Sequence, residues 1–408
     1  MSFRSFQLYR RIRPFAESLA IAQPTDLSYR GVMPAAESPT PAGPDPLTLT
    51  LPVPSTRVPI GGVTMIYEFA NAMARRGHRA HLHHHELFGY CFSSLDDITW
   101  FTFEPEVEHF FPGPHDHRPL LETVPDADIF FGYFPDAETP ERLGLPIKLI
   151  QGWRMMGEEL EINAYEAPCP KLCVARWLVD IGLELGVPAN QLVHIPLGLR
   201  HDLYRLTRPI EGRRPHLGFL YSEHPQKGVA TAVEVIELLR ARRPDLAVST
   251  FGAKPLPEDF PDWVTHHEDP PVADLVDGFY NQISIYLCPS VVEGFGFPAV
   301  EAMAGGAALV TTDNGGSRDY AHHDETALVG PPEDAGALAA HIEALLDDEP
   351  RRLRLARAGN ELVKLFNWER SAEVLEAFLF DYRADPAAYQ GTPEDHAEYR
   401  GRDLQKFA

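Results

Sequence analysis

The chain has 408 residues, 44% hydrophobic and 23% charged, an ordinary globular composition that excludes wholesale disorder. Its 36 basic and 59 acidic side chains give a formal charge of −23, a surface that repels phosphate backbones, so no nucleic-acid partner is expected. At about 100–200 residues per domain the length points to two large domains, and no run approaches the ~20 apolar residues of a membrane span.

The N-terminus lacks the apolar core of a signal peptide. Four cysteines (Cys91, Cys169, Cys173, Cys288) make no disulfide framework, so the expected setting is the cytoplasm. Residues 1–46 read as an amphipathic helix and linker. Five arginines stand in the first thirty residues, Leu8, Ile12, Phe15 and Leu19 share a helical face, and the Pro/Ala/Ser run 34–46 follows. Such a helix can dock on the protein itself or make peripheral contact with the inner face of a membrane. Both readings stay open.

Residues 47–53 (LTLTLPV) alternate as a strand, and a Pro-bounded loop leads to Gly61-Gly62. Met65, Ile66, Phe69, Ala72 and Met73 then continue at helical spacing to Gly77. Strands follow at 78–84, 129–133 and 147–150, with a helix and a short strand within 174–197. This is the βαβ cadence of a doubly wound parallel sheet. Residues 199–215, rich in Arg and Pro, read as a hinge, after which the cadence restarts. Strands are expected at 216–221, 246–251, 283–288 and 308–312, and helices at 228–242, from 297, and at 335–347. The fold class is therefore α/β, with two Rossmann-like lobes facing a cleft. The lobes span 47–198 and 216–370, and a C-terminal helix and tail at 371–408 are free to pack back on the first.

The most informative window is 289–306, PSVVEGFGFPAVEAMAGG. A buried strand ends at Cys288, the turn carries Glu293-Gly294-Phe295-Gly296, and a helix begins at Phe297-Pro298. Two glycines let backbone N–H groups approach a ligand, and a helix N-terminus favours phosphate. Carboxylates at Glu293 and Glu301 suit sugar hydroxyls, which donate to them. Together these features describe a nucleotide-sugar site; the bland alternative is a strand–turn–helix with solvated glutamates.

Glu293-x7-Glu301 in EGFGFPAVEAMAGG resembles the E-x7-E motif of family 4 glycosyltransferases (group 1 type), and the likeness extends through 173–198, 310–320 and 327–342. It implies a GT-B fold and a retaining, metal-independent transfer of a hexose or deoxyhexose to an acceptor hydroxyl. The donor would be a nucleoside diphosphate sugar, with UDP, GDP and dTDP unresolved, and no other cofactor is expected. The acceptor would be a carbohydrate or a lipid-linked molecule. Carried over, Glu293 meets the donor sugar and Glu301 the ribose. Gly294, Phe295, Gly296 and Phe297 line the donor through their backbone, Lys227 (in HPQKG) clamps the diphosphate, and Gly61-Gly62 face it from the first lobe. Glu293 and Lys227 are the expected catalytic pair.

Two positions depart from the family. An arginine usually stands five residues before the lysine; here it is Ser222, so either another cation, such as Arg57, Arg154 or Arg318, replaces it or the diphosphate relies more on backbone. Where many members carry a histidine after a central strand of the first lobe, KLIQGWRMMGEE offers Gln151 and Trp153 on the acceptor side. Three other signals are weak. Asp126-x-Asp128 reads as a strand-entry turn, the His81–Glu86 run alternates faces and so cannot converge on a metal, and Cys169-x3-Cys173 lacks a second ligand pair. Alternative readings on the same fold are an epimerase, a phosphorylase, or an inert sugar-nucleotide-binding subunit.

Overall fold

The computed structural model describes residues 45–86, 90–113, 118, 120–132, 141–155 and 158–389. The expected N-terminal helix, with its membrane contact, and the tail beyond 389 lie outside these residues.

The first lobe runs β1 (Thr48–Pro54), α1 (Gly61–Arg75), β2 (Arg79–His85), β3 (Val107–Phe110), α2 (Leu120–Thr123), β4 (Ile129–Gly132) and β5 (Leu145–Ile150). It continues with α3 (Glu158–Glu166), β6 (Lys171–Cys173), α4 (Arg176–Glu184) and β7 (Leu192–His194). Its seven strands are all parallel, in the order β3-β2-β1-β4-β5-β6-β7. Central strands such as β4 are buried along their whole length, as a sheet covered on both faces requires. Even Glu68 and Asn71 of α1 are buried. Asn71 is satisfied there, donating to the Thr102 carbonyl at 2.8 Å and accepting from the Glu104 N–H at 2.9 Å.

The second lobe runs β8 (His216–Leu220), α5 (Val229–Arg242), β9 (Ala247–Gly252), β10 (Thr265–Glu268), α6 (Val272–Leu275), β11 (Ile285–Cys288) and α7 (Phe297–Ala304). Then come β12 (Ala308–Thr312), β13 (Ala327–Gly330), α8 (Ala335–Asp347), α9 (Glu349–Val363) and α10 (Trp368–Ala384). Six parallel strands take the order β10-β9-β8-β11-β12-β13. The run expected as a strand from 283 begins at Ile285, because the Ile283 carbonyl accepts from Arg213 Nη1 at 3.0 Å instead of joining the ladder. Strands β3 and β10 escape a search for apolar runs: both lie at sheet edges and are only partly buried.

Helix α10 leaves the second lobe and packs on the first. Trp368 sets its ring edge-on to Phe69 at 5.5 Å, Glu376 pairs with Arg76 at 2.5 Å and His78 at 2.8 Å, and Tyr382 donates to the Pro146 carbonyl at 3.0 Å. The lobes are thus joined by two crossings, through 195–215 and again ahead of α10. Among the described residues no helix is long and apolar enough to cross a membrane.

Candidate active site

In each sheet the strand order reverses direction beside the first strand of its lobe, between β1 and β4 and between β8 and β11. Crevices at the carboxyl ends of strands flanking such a reversal are where open α/β sheets bind ligands. The residues singled out from the sequence emerge at these ends. Lys227 follows β8, Glu293 follows β11, Gly61-Gly62 follow β1, and Gln151 directly follows β5.

Lys227 and Glu293 form the charged centre. The lysine ammonium donates to both carboxylate oxygens at 2.8 Å, and Ser290 Oγ donates to Oε1 at 2.7 Å. Glu293 is nearly buried, its side chain 7% exposed against 24% for Lys227. Its backbone is pinned as well: the N–H donates to the Asn314 carbonyl at 2.9 Å, and its carbonyl accepts from Gly316 at 3.1 Å. The lysine loop is shaped by Gly228, whose φ of +66° brings the backbone against Pro289.

The turn after Glu293 is glycine-rich because the other lobe presses on it. A Cβ on Gly294 would lie 1.9 Å from the Gln151 carbonyl oxygen, and one on Gly62 2.3 Å from Gln151 Oε1. A Cβ on Gly61 would lie 3.3 Å from the Phe297 ring, a looser approach. Gly61, Gly62, Gln151, Gly294 and Phe297 therefore meet across the lobe interface. Among the described residues no backbone carbonyl accepts from the N–H groups of Gly294, Phe295 or Gly296, which leaves them for a ligand at the start of α7. The Phe295 side chain itself is core, packed on Phe297 and Tyr320.

Glu301 sits apart with its own partners. Tyr280 donates to Oε2 at 2.6 Å and Tyr204 reaches the same carboxylate from the hinge. Burial pushes its pKa up to about 7, while the two phenols pull it down. Of the two motif carboxylates, the structure gives one a lysine and the other two tyrosines.

Gln151 and Trp153, paired in the sequence reading, separate. Gln151 Nε2 is buried and has no hydrogen-bond partner within the protein. Trp153 is only 5% exposed and packs edge-on against Tyr165, so it belongs to the core and is removed from the acceptor side. Of the three arginines weighed as replacements at Ser222, Arg57 lies over the Tyr90 ring and Arg318 is bound by both oxygens of Asp313. Arg154 lies in a turn with φ +61° held by the Glu161 carboxylate, and its carbonyl accepts from Gln226, the neighbour of Lys227. A non-glycine residue in that region costs about 1–3 kcal/mol and persists only where surroundings fix it.

One contributor lies in the 173–198 stretch that shares the family likeness, with nothing in the sequence to mark it. Trp177, on α4 of the first lobe, donates its indole N–H to the Gly294 carbonyl at 3.0 Å, and Gly315 is pressed against its ring. The Glu293–Gly296 turn is thereby gripped from both sides by the first lobe. An indole that opens a helix has no sequence signature of such a role.

The weak signals resolve as structure. Asp128 accepts from the Thr48 N–H at 2.7 Å and Asp126 from Arg142 at 2.8 Å, a strand-entry turn. His84 and His109 bond each other at 2.9 Å in an aromatic cluster, and burial drives the His84 pKa down to about 3, which keeps it neutral. Cys169 and Cys173 are buried free thiols. No group of three or more His, Cys, Asp or Glu able to hold a metal occurs among the described residues.

Residues 208–362 match the family model described as glycosyl transferases group 1. The second lobe is a group 1 glycosyltransferase domain. Over 178 residues the chain is 34% identical to the D-inositol 3-phosphate glycosyltransferase of Arthrobacter sp. (strain FB24), covering 40% of this chain and 42% of that one. Over 226 residues it is 27% identical to the GDP-mannose-dependent alpha-(1-6)-phosphatidylinositol monomannoside mannosyltransferase of Mycobacterium tuberculosis, covering 49% and 58%. The chain thus spans about half the length of these curated relatives. Sucrose-phosphate synthase from Thermosynechococcus elongatus superposes with a TM-score of 0.64 at 18% identity, over 83% of this chain and 99% of that one. Anabaena HepE, solved in complex with UDP and glucose, gives 0.65 at 14%, over 82% and 100%. The glycosyltransferase lobe and these structures together give the two lobes a GT-B fold.

Proposed function

We propose that this protein transfers a hexosyl or deoxyhexosyl group from a nucleoside diphosphate sugar to an acceptor hydroxyl, with retention of anomeric configuration and without a metal. The observation that carries this reading is the Lys227–Glu293 pair, set at the switch point of a group 1 glycosyltransferase lobe and facing Gly61, Gly62 and Gln151 of the other lobe.

The diphosphate competes with Glu293 for the Lys227 ammonium and takes the turn amides of Gly294, Phe295 and Gly296. As the glycosidic bond breaks, charge grows on the leaving phosphate, where a fixed cation in a dry cleft is worth most. Glu293, released from the lysine, accepts hydroxyls of the donor sugar. The acceptor hydroxyl enters from the first lobe and attacks on the face from which the diphosphate leaves, so no protein nucleophile is needed. Gln151 takes the place where many members of the family carry a histidine, offering a neutral amide to a sugar hydroxyl. Arg154, joined to the lysine loop through Gln226, takes over from the arginine replaced by Ser222. Titratable chemistry is then confined to the donor side. The setting is cytoplasmic, with a carbohydrate or lipid-linked acceptor.

The test is nucleoside diphosphate release from UDP-, GDP- and dTDP-sugars, followed with wild type beside Glu293→Gln, which keeps the Ser290 bond. One donor should be consumed by wild type only, and the variant should bind the free nucleoside diphosphate at least as tightly because Lys227 is unpaired. Equal turnover in the variant would remove Glu293 from the site. Binding without release, whatever acceptor is added, would favour the inert subunit.

A further inference from the structure

Glu293 is a buried carboxylate and Glu301 a half-buried one, and the protein treats their charges differently. Lys227 cancels the first. The groups facing the second from the elements around it are phenols: Tyr280 ahead of β11, Tyr286 on β11, and Tyr204 in the hinge. Tyr280 is fully buried, wedged edge-on against Phe251 and Phe279 at 5.5 and 5.4 Å, so its 2.6 Å bond to Oε2 is held rigidly. Tyr204 lies edge-on to Tyr280 at 6.4 Å, and its N–H closes a turn on the Arg200 carbonyl at 2.7 Å. Arg200 in turn binds Asp202 and, at 3.4 Å, the buried Glu68 of α1.

We propose that Tyr204 and Tyr280 are positioning residues that hold the Glu301 carboxylate ionised and oriented to receive two ribose hydroxyls, and that Tyr204 ties this carboxylate to the hinge. The proposal rests on the reading of Glu301 as the ribose ligand. A carboxylate has about four lone-pair sites. Two phenols occupy two of them and leave two for the vicinal hydroxyls of a ribose. Phenols, unlike an ammonium, leave the net charge in place, so the remaining sites stay strong acceptors. Burial works against that charge and brings the Glu301 pKa up to about 7, where the phenols' donation decides how much is ionised at neutral pH. The sign follows. Removing a donating hydroxyl raises the pKa further, so the ionised form is lost at a higher pH than in wild type and returns in alkali. Through Arg200 and Glu68 the same tyrosine lies in contact with the helix that opens at Gly61-Gly62. Hinge position and ribose binding thus share one residue.

The experiment is calorimetric titration of UDP and 2′-deoxy-UDP, with GDP and 2′-deoxy-GDP as a second pair, between pH 5.5 and 9. It compares wild type, Tyr204→Phe, Tyr280→Phe and Glu301→Gln. Wild type should prefer the ribonucleotide, and lose that preference below about pH 7. The Phe variants should lose it at a higher pH, with ribonucleotide affinity about tenfold weaker at pH 7 and restored at pH 9, a recovery that misfolding would not give. Should Tyr280→Phe fail to fold, the less buried Tyr204 carries the test. Phe variants that track wild type while Glu301→Gln loses the preference would overturn the tyrosine proposal and leave the ribose reading standing. No preference in wild type, or no binding of either pair, would overturn both.

Discussion

At the carboxyl ends of β8 and β11 the chain sets an ammonium and a hydroxyl 2.7–2.8 Å from the oxygens of one carboxylate. At the carboxyl ends of β1 and β5 it places two glycines and an amide, with no charge among them. The two lobes share a topology yet differ in how they present it. In the second lobe the site is made by electrostatics, as a leaving diphosphate demands. In the first it is made by close approach, where a single Cβ would collide with Gln151. If this division is right, substitutions of the charged groups should act on chemistry, and those at the points of close approach on lobe fit.

The largest effect should come from Lys227→Ala. Turnover should fall by about 10²–10³, the loss expected when a fixed charge or donor is taken from a transition state. Stability should fall too, by up to about 3–5 kcal/mol, because the variant strands the nearly buried Glu293 with Ser290 as its remaining side-chain donor. Chemical denaturation would check the second part. The double variant Lys227→Ala/Glu293→Gln should recover most of the stability and none of the turnover. A Lys227→Ala protein with near-normal turnover would break the comparison at its charged end.

Next in size is a contrast between two glycines of the interface. Gly294→Ala puts a methyl group 1.9 Å from a backbone oxygen, whereas Gly62→Ala puts one 2.3 Å from the tip of a flexible glutamine side chain. The first cannot be relieved without moving a lobe; the second can be relieved by a new Gln151 rotamer. Gly294→Ala should therefore cost far more kcat/KM than Gly62→Ala, with thermal midpoints of both close to wild type. Equal costs would mean that the lobes do not close on this turn.

Much of the second lobe was legible because its constraints are local. Glu293, Gly294, Gly296 and Glu301 fall within nine consecutive positions, so strand, turn and helix start can be read together. The first lobe's share is assembled from β1, β5 and α4, which lie far apart in sequence. Trp177 shows the consequence, since an indole beside an apolar helix face reads as core until its N–H is seen on the Gly294 carbonyl. Trp153 erred the opposite way: its neighbour Gln151 reaches the interface, but the next turn carries the ring into the core against Tyr165. Edge strands β3 and β10 were missed for a third reason, since exposure at a sheet edge removes the apolar run by which a strand is recognised. Trp177→Phe tests this grip directly. It keeps the ring on Gly315 and deletes one hydrogen bond, so kcat/KM should drop several-fold, consistent with about 0.5–1.5 kcal/mol, while the fold is retained.

The smallest effect concerns the clasp that keeps the lobes together away from the chemistry. Glu376 of α10 faces Arg76 and His78 of the first lobe. Burial alone would raise its pKa, but hydrogen bonds from Arg76 and His78 outweigh it and hold the carboxyl below its usual range. A carboxyl whose folded pKa is depressed contributes stability that is present above the unfolded value and is lost as pH falls through the folded one. Glu376→Gln should therefore lower the thermal midpoint at pH 7, with the gap to wild type closing below about pH 4 as the native carboxyl takes up its proton. Turnover per folded molecule should be nearly unchanged at pH 7, since neither switch point touches this pair. A loss of turnover as large as that of Gly294→Ala would instead make the docking of α10 part of lobe closure, and the division between a charged lobe and a fitted one would need a third member.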